Sequence, residues 1–235
     1  MNTPLNKRFW DVVSVREDGD GYAVFLDERQ LKTPAKASLI VPTMALADGV
    51  AAEWNAVEGE IKPLKMHLTR CANATIDKVA HERVAVAAML AEYGGTDLIC
   101  YRANSPEELV ERQGVAWDPL LEWIAAQGAP LTVTAGVMFT QQPENSLRRM
   151  GEMLLAFDPW QMTAMHDLVT ISGSLVLALA VSEKHLSAEH VWPLSRIDEA
   201  WQEDQWGPDE EATKHANIKR GDFLKAADLL DLVES

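Results

Sequence analysis

The chain has 235 residues, 47% hydrophobic and 24% charged, with 21 Lys and Arg against 36 Asp and Glu and a formal net charge of −15. That length suits one large domain or two small ones, and the composition excludes a disordered chain, a collagen-like chain and a disulfide scaffold. A field of that sign repels nucleic-acid phosphate and an anionic membrane leaflet, so neither is expected as a partner.

The amino-terminal forty residues read as strands. Phe9-Trp10-Asp11-Val12-Val13-Ser14-Val15 is β-branched and aromatic. Glu17-Asp18-Gly19-Asp20-Gly21 is a turn cluster, and Tyr22-Ala23-Val24-Phe25-Leu26 returns, which predicts a hairpin. Leu31-Lys32-Thr33 and Ser38-Leu39-Ile40-Val41 read as two further short strands separated at Pro34. No targeting segment is expected, because Met1 to Pro4 leads directly to Lys7-Arg8-Phe9-Trp10 without an apolar stretch.

From Pro42 the period becomes helical. Leu46, Val50 and Trp54 recur at i, i+4 and i+8, with Thr43 as the N-cap. Gly59 to Pro63 breaks this helix. An Ala-rich helix is predicted over 69–93, stopped by Gly94-Gly95. For 96–102 the period leaves strand and helix both open. Ser105-Pro106-Glu107-Glu108 opens the next helix with Ser105 as N-cap, and Asp118-Pro119 repeats the signal and is expected to start a short separate one. Leu131-Thr132-Val133 suits a short extended piece. Beyond Pro143 helices are expected over 144–157, 160–181 and 187–206, then one capped by Asp209 or Asp222. The longest apolar run, 168–181, falls short of the roughly 20 residues that span a bilayer and reads as a buried core helix. The fold expected is α+β, with a small antiparallel β-rich domain over 1–65 and a larger, mainly α-helical domain over 66–235.

Catalytic signatures are missing from the sequence. His185 and His190 are five apart, off the i, i+4 spacing of paired ligands, and Ala85 stands where His81-Glu82 would need a second His. Cys71 and Cys100 form no C-x-x-C pair and are expected as free, buried thiols. Ser172-Gly173-Ser174 lacks the pattern of a nucleophile elbow, and its small residues are expected to permit close helix packing. No glycine-rich phosphate loop occurs. No cofactor and no metal are therefore expected. An enzymatic alternative needs Asp97, Asp118 and Asp198 to converge in a cleft; a third reading is a permanent subunit of a complex.

Tryptophan and acid coincide instead. The chain has 8 Trp against 3 Tyr and 5 Phe, and the densest case runs from Trp192 to Trp206. On one helix, Leu194, Ile197 and Trp201 face the core. Glu199, Gln202, Glu203 and Trp206 share a neighbouring face, with Asp198 at its start. That face is either a solvated surface or a protein-binding patch in which Trp anchors and the acids select a basic partner. Asp209-Glu210-Glu211 extends the negative field.

At this stretch the sequence resembles the assembly chaperones of the catalytic head of ATP synthase, the F1 alpha-subunit chaperone family (mitochondrial F1 complex assembly factor 2). The resemblance rests on segments in order along the chain: Lys7-Arg8-Phe9-Trp10; Leu26-Asp27, Arg29 and Leu31-Lys32-Thr33-Pro34; Val41-Pro42-Thr43 with Ala51-Ala52-Glu53-Trp54; Pro63, Met66, Leu68-Thr69-Arg70, Asn73 and Ile76-Asp77; Thr96-Asp97-Leu98 with Tyr101-Arg102; Trp117-Asp118-Pro119; then Gly173-Ser174-Leu175, Ala178, Asp198-Glu199, Gln202 and Trp206-Gly207. His67 stands where the family pattern has Pro, and Cys71 is unusual there. The resemblance implies a two-domain chaperone without turnover that binds the free α subunit of F1 before α meets β. It implies the bacterial cytoplasm for this chain and the mitochondrial matrix for eukaryotic relatives. It places the family's functional acid on Asp198 or Glu199, within a partner-binding set of Asp198, Glu199, Gln202, Glu203 and Trp206.

Overall fold

The computed structural model describes residues 7–235, so the reading of Met1 to Pro4 lies outside the described residues. Strands β1 (Val13–Asp18) and β2 (Gly21–Leu26) form the expected antiparallel hairpin, in register from Val13 opposite Leu26 to Asp18 opposite Gly21. Gly19 makes the turn at φ +62°, a left-handed conformation that favours glycine. The strand expected over 38–41 is shortened to 40–41, and the one expected over 31–33 is displaced to 29–30. β3 (Arg29–Gln30) and β4 (Ile40–Val41) both pair with β2, while Lys32 and Ser38 meet only in an isolated bridge.

Helix α1 (Met44–Asn55) starts where expected: the Thr43 hydroxyl accepts from the Leu46 N–H at 3.2 Å. It buries Leu46, Ala47 and Val50 and packs on β1 and β2. Its last turn also organises α2 (His67–Ala74). The Glu53 carboxylate accepts from the backbone N–H groups of Leu68 at 2.7 Å and Thr69 at 2.9 Å, taking the place of an N-cap. Trp54 donates its indole N–H to the Thr69 hydroxyl at 3.1 Å. A Cβ at Gly49 would stand 2.5 Å from Leu68 Cδ1, so glycine sets the closeness of the two helices. Arg8 binds the carbonyls of Trp10, Asn55 and Val57, tying the chain's start to the end of α1.

The helix predicted over 69–93 is three consecutive pieces: α2, a π turn over Thr75–Val79, and α3 (Ala80–Ala91), kinked at Glu82, followed by a 3-10 turn over Glu92–Thr96. Two compact units result. One is Met1–Arg83 with Pro159–Thr163 and Asp228–Ser235; the other is Val84–Asp158 with Ala164–Ala227. The boundary read at 65/66 falls inside the first unit, because α2 packs on α1 through Glu53 and Gly49.

The second unit is built around α7 (Leu175–Ser182), in which every residue from Leu175 to Val181 is buried. A helix apolar on all sides belongs in a core, and α4 (Glu107–Ala126) and α8 (Ala188–Leu194) pack against it. The apolar run 168–181 is thus core, though not one helix. Gly173, at φ +72°, ends α6 (Pro159–Ser172), and the Ser174 hydroxyl accepts from Leu177 N–H at 3.0 Å to start α7. Nothing lies within 4 Å of a Cβ at Gly173, so this glycine serves backbone turning and not the close packing expected from the sequence.

Two other expectations are corrected. Pro119 starts no new helix; it lies inside α4, whose buried stripe of Leu109, Gln113, Trp117, Leu120 and Ile124 runs continuously past it. The N-cap of α4 is Pro106, not Ser105. The undecided segment 96–102 is a 3-10 turn over Leu98–Cys100 followed by β5 (Tyr101–Arg102), which pairs in parallel with β6 (Thr134–Ala135). Helix α5 (Glu144–Ala156) follows the expected bounds closely, and Asp209 caps α10 (Glu210–Glu234) by accepting from Ala212 N–H at 2.7 Å. Among the described residues no helix is long and apolar enough to cross a membrane.

Both cysteines are buried thiols outside any disulfide, and Cys71 Sγ lies 3.5 Å from His67 Nε2. Burial, then the nearby Asp97 carboxyl, push the Cys100 thiol up to about 12, against the opposing pull of Arg102. Native protein at pH 8 should therefore leave Cys100 unmodified by iodoacetamide, with labelling on denaturation; mass spectrometry of the intact chain reads the difference. Rapid native labelling at Cys100 would contradict this packing.

Candidate functional site

The segment 192–206 is two helices and not one. α8 ends at Leu194; Ser195 turns back, its hydroxyl donating to the Trp192 carbonyl at 2.7 Å; Arg196 leaves helical geometry, and α9 (Ile197–Trp206) begins. Gly207, at φ +84°, and Pro208 end α9. Of the apolar positions assigned to the core, Ile197 is buried, while Leu194 and Trp201 are only half-buried.

The acids of this segment differ in what holds them. Asp198 is half-buried, and its Oδ1 accepts from Gln113 Nε2 at 2.6 Å. Gln113 is itself buried, and its Oε1 accepts from Ala103 N–H at 2.8 Å. Asp198 therefore joins α9 through one buried amide to Ala103, the residue after β5. Glu199 and Glu203 lie 3.2 and 3.7 Å from the Arg196 guanidinium, which also lies over the Trp192 ring. Asp204 pairs with Arg112 at 2.7 Å. Two cations thus offset part of the negative field that composition alone suggests. Gln202 is exposed and Trp206 is 80% exposed.

Beneath this face lies a polar lattice. The buried Arg102 donates to the Ile99 carbonyl at 2.9 Å and to Asp118 at 2.8 Å, and its guanidinium lies 5.0 Å from the centre of the Trp117 ring. Trp117 donates its indole N–H to the Leu194 carbonyl at 2.8 Å, fixing the end of α8. Asp97 is fully buried; it accepts from Ile99 N–H at 3.3 Å and Val176 N–H at 3.0 Å, so one carboxyl serves both the 3-10 turn and the start of α7. Burial pushes this carboxyl up to about 6, with hydrogen bonds from Ser174 and the backbone opposing.

Asp97, Asp118 and Asp198 are each taken up by different partners: backbone, Arg102 and Gln113. Each of these bonds positions secondary structure. The histidines considered as ligands have local roles: His185 stacks on Trp123 at 4.7 Å, and His190 Nδ1 lies 3.0 Å from the Ser187 hydroxyl.

Two surface features escaped the sequence reading. Val137, Met138 and Phe139 are 95%, 76% and 69% exposed at the tip of a loop whose base is fixed. Gln142 bonds Thr132 through both ends of its amide, and Gly136 N–H reaches the Arg102 carbonyl. The signal was an apolar triplet between Gly136 and Thr140-Gln141. The second is Val115, 75% exposed on a charged stretch of α4. Contiguous exposed apolar side chains on a rigid base mark interaction surfaces.

Comparison with known proteins agrees with this architecture. The family profile described as ATP12 chaperone protein matches residues 7–125. The mitochondrial protein atp12 of Schizosaccharomyces pombe is 24% identical over 222 residues, covering 89% of this chain and 76% of its own. The crystal structure of Atp12 from Paracoccus denitrificans superposes with a TM-score of 0.92 at 46% identity, covering 97% of this chain and 98% of that one. The Atu1473 protein of Agrobacterium tumefaciens superposes at 0.91 with 37% identity, covering 100% of this chain and 87% of that one.

Proposed function

Because this chain belongs to the ATP12 chaperone family, we propose that it assists assembly of the F1 part of ATP synthase by binding the unassembled α subunit and preventing its aggregation before α meets β. Family membership is the observation that carries this reading. An unassembled subunit exposes apolar interface, and a holder needs an apolar surface of its own with polar selection around it. The tip at 137–139 and the exposed Trp206 supply the first, and the acids of α9 supply the second.

The loop base and the acidic helix are linked. Gly136 N–H bonds Arg102, the next residue Ala103 bonds Gln113, and Gln113 bonds Asp198. In this reading Glu199, Gln202, Glu203 and Trp206 face the client, while Asp198 holds the face in place. The protein works without cofactor or turnover, in the bacterial cytoplasm. The test is affinity capture from native lysate. Tagged protein should recover α free of β; recovery of α and β in equal amounts would contradict the proposal.

A further inference from the structure

A groove of about 530 Å³ runs between α4 and the junction of α8 with α9. Its apolar lining is Val115, Ala116, Pro193, Leu194 and Ile197. Glu108 and Glu111 give it an acidic side, Glu111 one helical turn and Glu108 two turns before Val115 along the same stripe of α4. Neither glutamate forms an ion pair among the described residues. Arg112, the cation that lines the groove, is already bound by Asp204 at 2.7 Å.

We propose that this groove receives a short amphipathic segment of the client, with a large apolar residue on Val115 and Leu194 and a Lys or Arg against Glu108 and Glu111. The assignment rests on the proposed role as an α-subunit chaperone and names where that client is gripped. Charge complementarity selects the occupant. An apolar lining beside two free carboxylates, with its cation neutralised, favours a basic segment and disfavours an acidic one. The volume fits a few side chains and not a whole domain. The groove also continues into the face discussed above, since Ile197 in its lining directly precedes Asp198 on α9. Because Val115, Glu108 and Glu111 are exposed, changing them removes recognition without opening the core.

The experiment uses the full chain and purified α subunit. Three proteins are compared: wild type, Val115→Asp, and the double variant Glu108→Lys with Glu111→Lys. Melting temperatures should agree within about 3 °C, and both variants should bind α at least 10-fold more weakly. Wild-type binding should weaken with added salt. In parallel, a photoreactive phenylalanine analogue at position 115 should crosslink to an α-subunit peptide containing Lys or Arg beside a large apolar residue. Variants that bind α like wild type overturn the groove while leaving the chaperone role standing. So does a crosslink to a second copy of this chain, or to an α peptide without a cation. Wild-type protein that binds no α overturns the chaperone role, and the groove assignment with it.

Discussion

Replacing Asp97 with alanine should destabilise the protein at pH 4.5 by roughly 2–6 kcal/mol, because the buried N–H groups of Ile99 and Val176 then lack an acceptor, at about 1–3 kcal/mol each. The loss should be smaller at pH 7.5. The folded carboxyl holds its proton up to about pH 6, against 3.8 for an unburied aspartate. Its contribution to stability is therefore greatest below 3.8 and is lost as pH rises through 6, a difference of roughly 3 kcal/mol in all. Between pH 4.5 and 7.5 the gap between wild type and Asp97→Ala should narrow by roughly 2 kcal/mol, or about 4–8 °C in melting temperature. Urea unfolding at the two pH values measures it. A gap that is equal at both, or wider at pH 7.5, would contradict the buried carboxyl described here.

Asp198→Lys and Glu199→Lys should separate, although the two acids are neighbours. Asp198 is the acceptor for Gln113 Nε2, and Gln113 is buried and also holds Ala103. A lysine at 198 leaves that amide without its acceptor and sets a cation beside it, at a cost of about 2–3 kcal/mol, or several degrees in melting temperature. Glu199 is exposed and pairs with Arg196 at 3.2 Å, a contact that contributes about 1 kcal/mol or less. Glu199→Lys should therefore melt within about 2 °C of wild type. Under the proposed function it should still weaken α-subunit capture, and that loss would be a direct contact and not a consequence of unfolding. Circular dichroism melts of both variants decide the structural half: equal melting temperatures would show that Asp198 does not position α9 through Gln113.

The sequence was informative where the decisive contacts are local. The hairpin turn at Gly19 and the Thr43 cap each depend on residues within four positions and were readable, while the Asp209 cap was one of two candidates with Asp222. Pro119 misled because local chemistry says stop while the burial of Trp117, Leu120 and Ile124 says continue; packing on α7 outweighs the lost hydrogen bond. The breaks at Gly173 and at Ser195–Arg196 interrupt stretches whose periodicity is continuous, so period alone could not place them. The pairing of β5 with β6 joins residues more than thirty apart and has no local signature.

At the candidate site the same division holds. That Arg196 would meet Glu199 follows from their three-residue spacing. That Gln113 would meet Asp198 across 85 positions does not, and it changes the meaning of the acid: Asp198 is part of the scaffold under the face as well as a member of it. The groove beside α4 was likewise invisible, since its two walls come from separate parts of the chain.

The central claim is that this protein binds the unassembled α subunit of F1. The most direct measurement is light scattering from purified α subunit, diluted from denaturant, with and without this protein at equal molar concentration. The account predicts suppressed scattering and a soluble one-to-one complex on gel filtration; purified β subunit should then release the protein from that complex while scattering stays low. Scattering that rises at the same rate with the protein present, with no complex on the column, would contradict it.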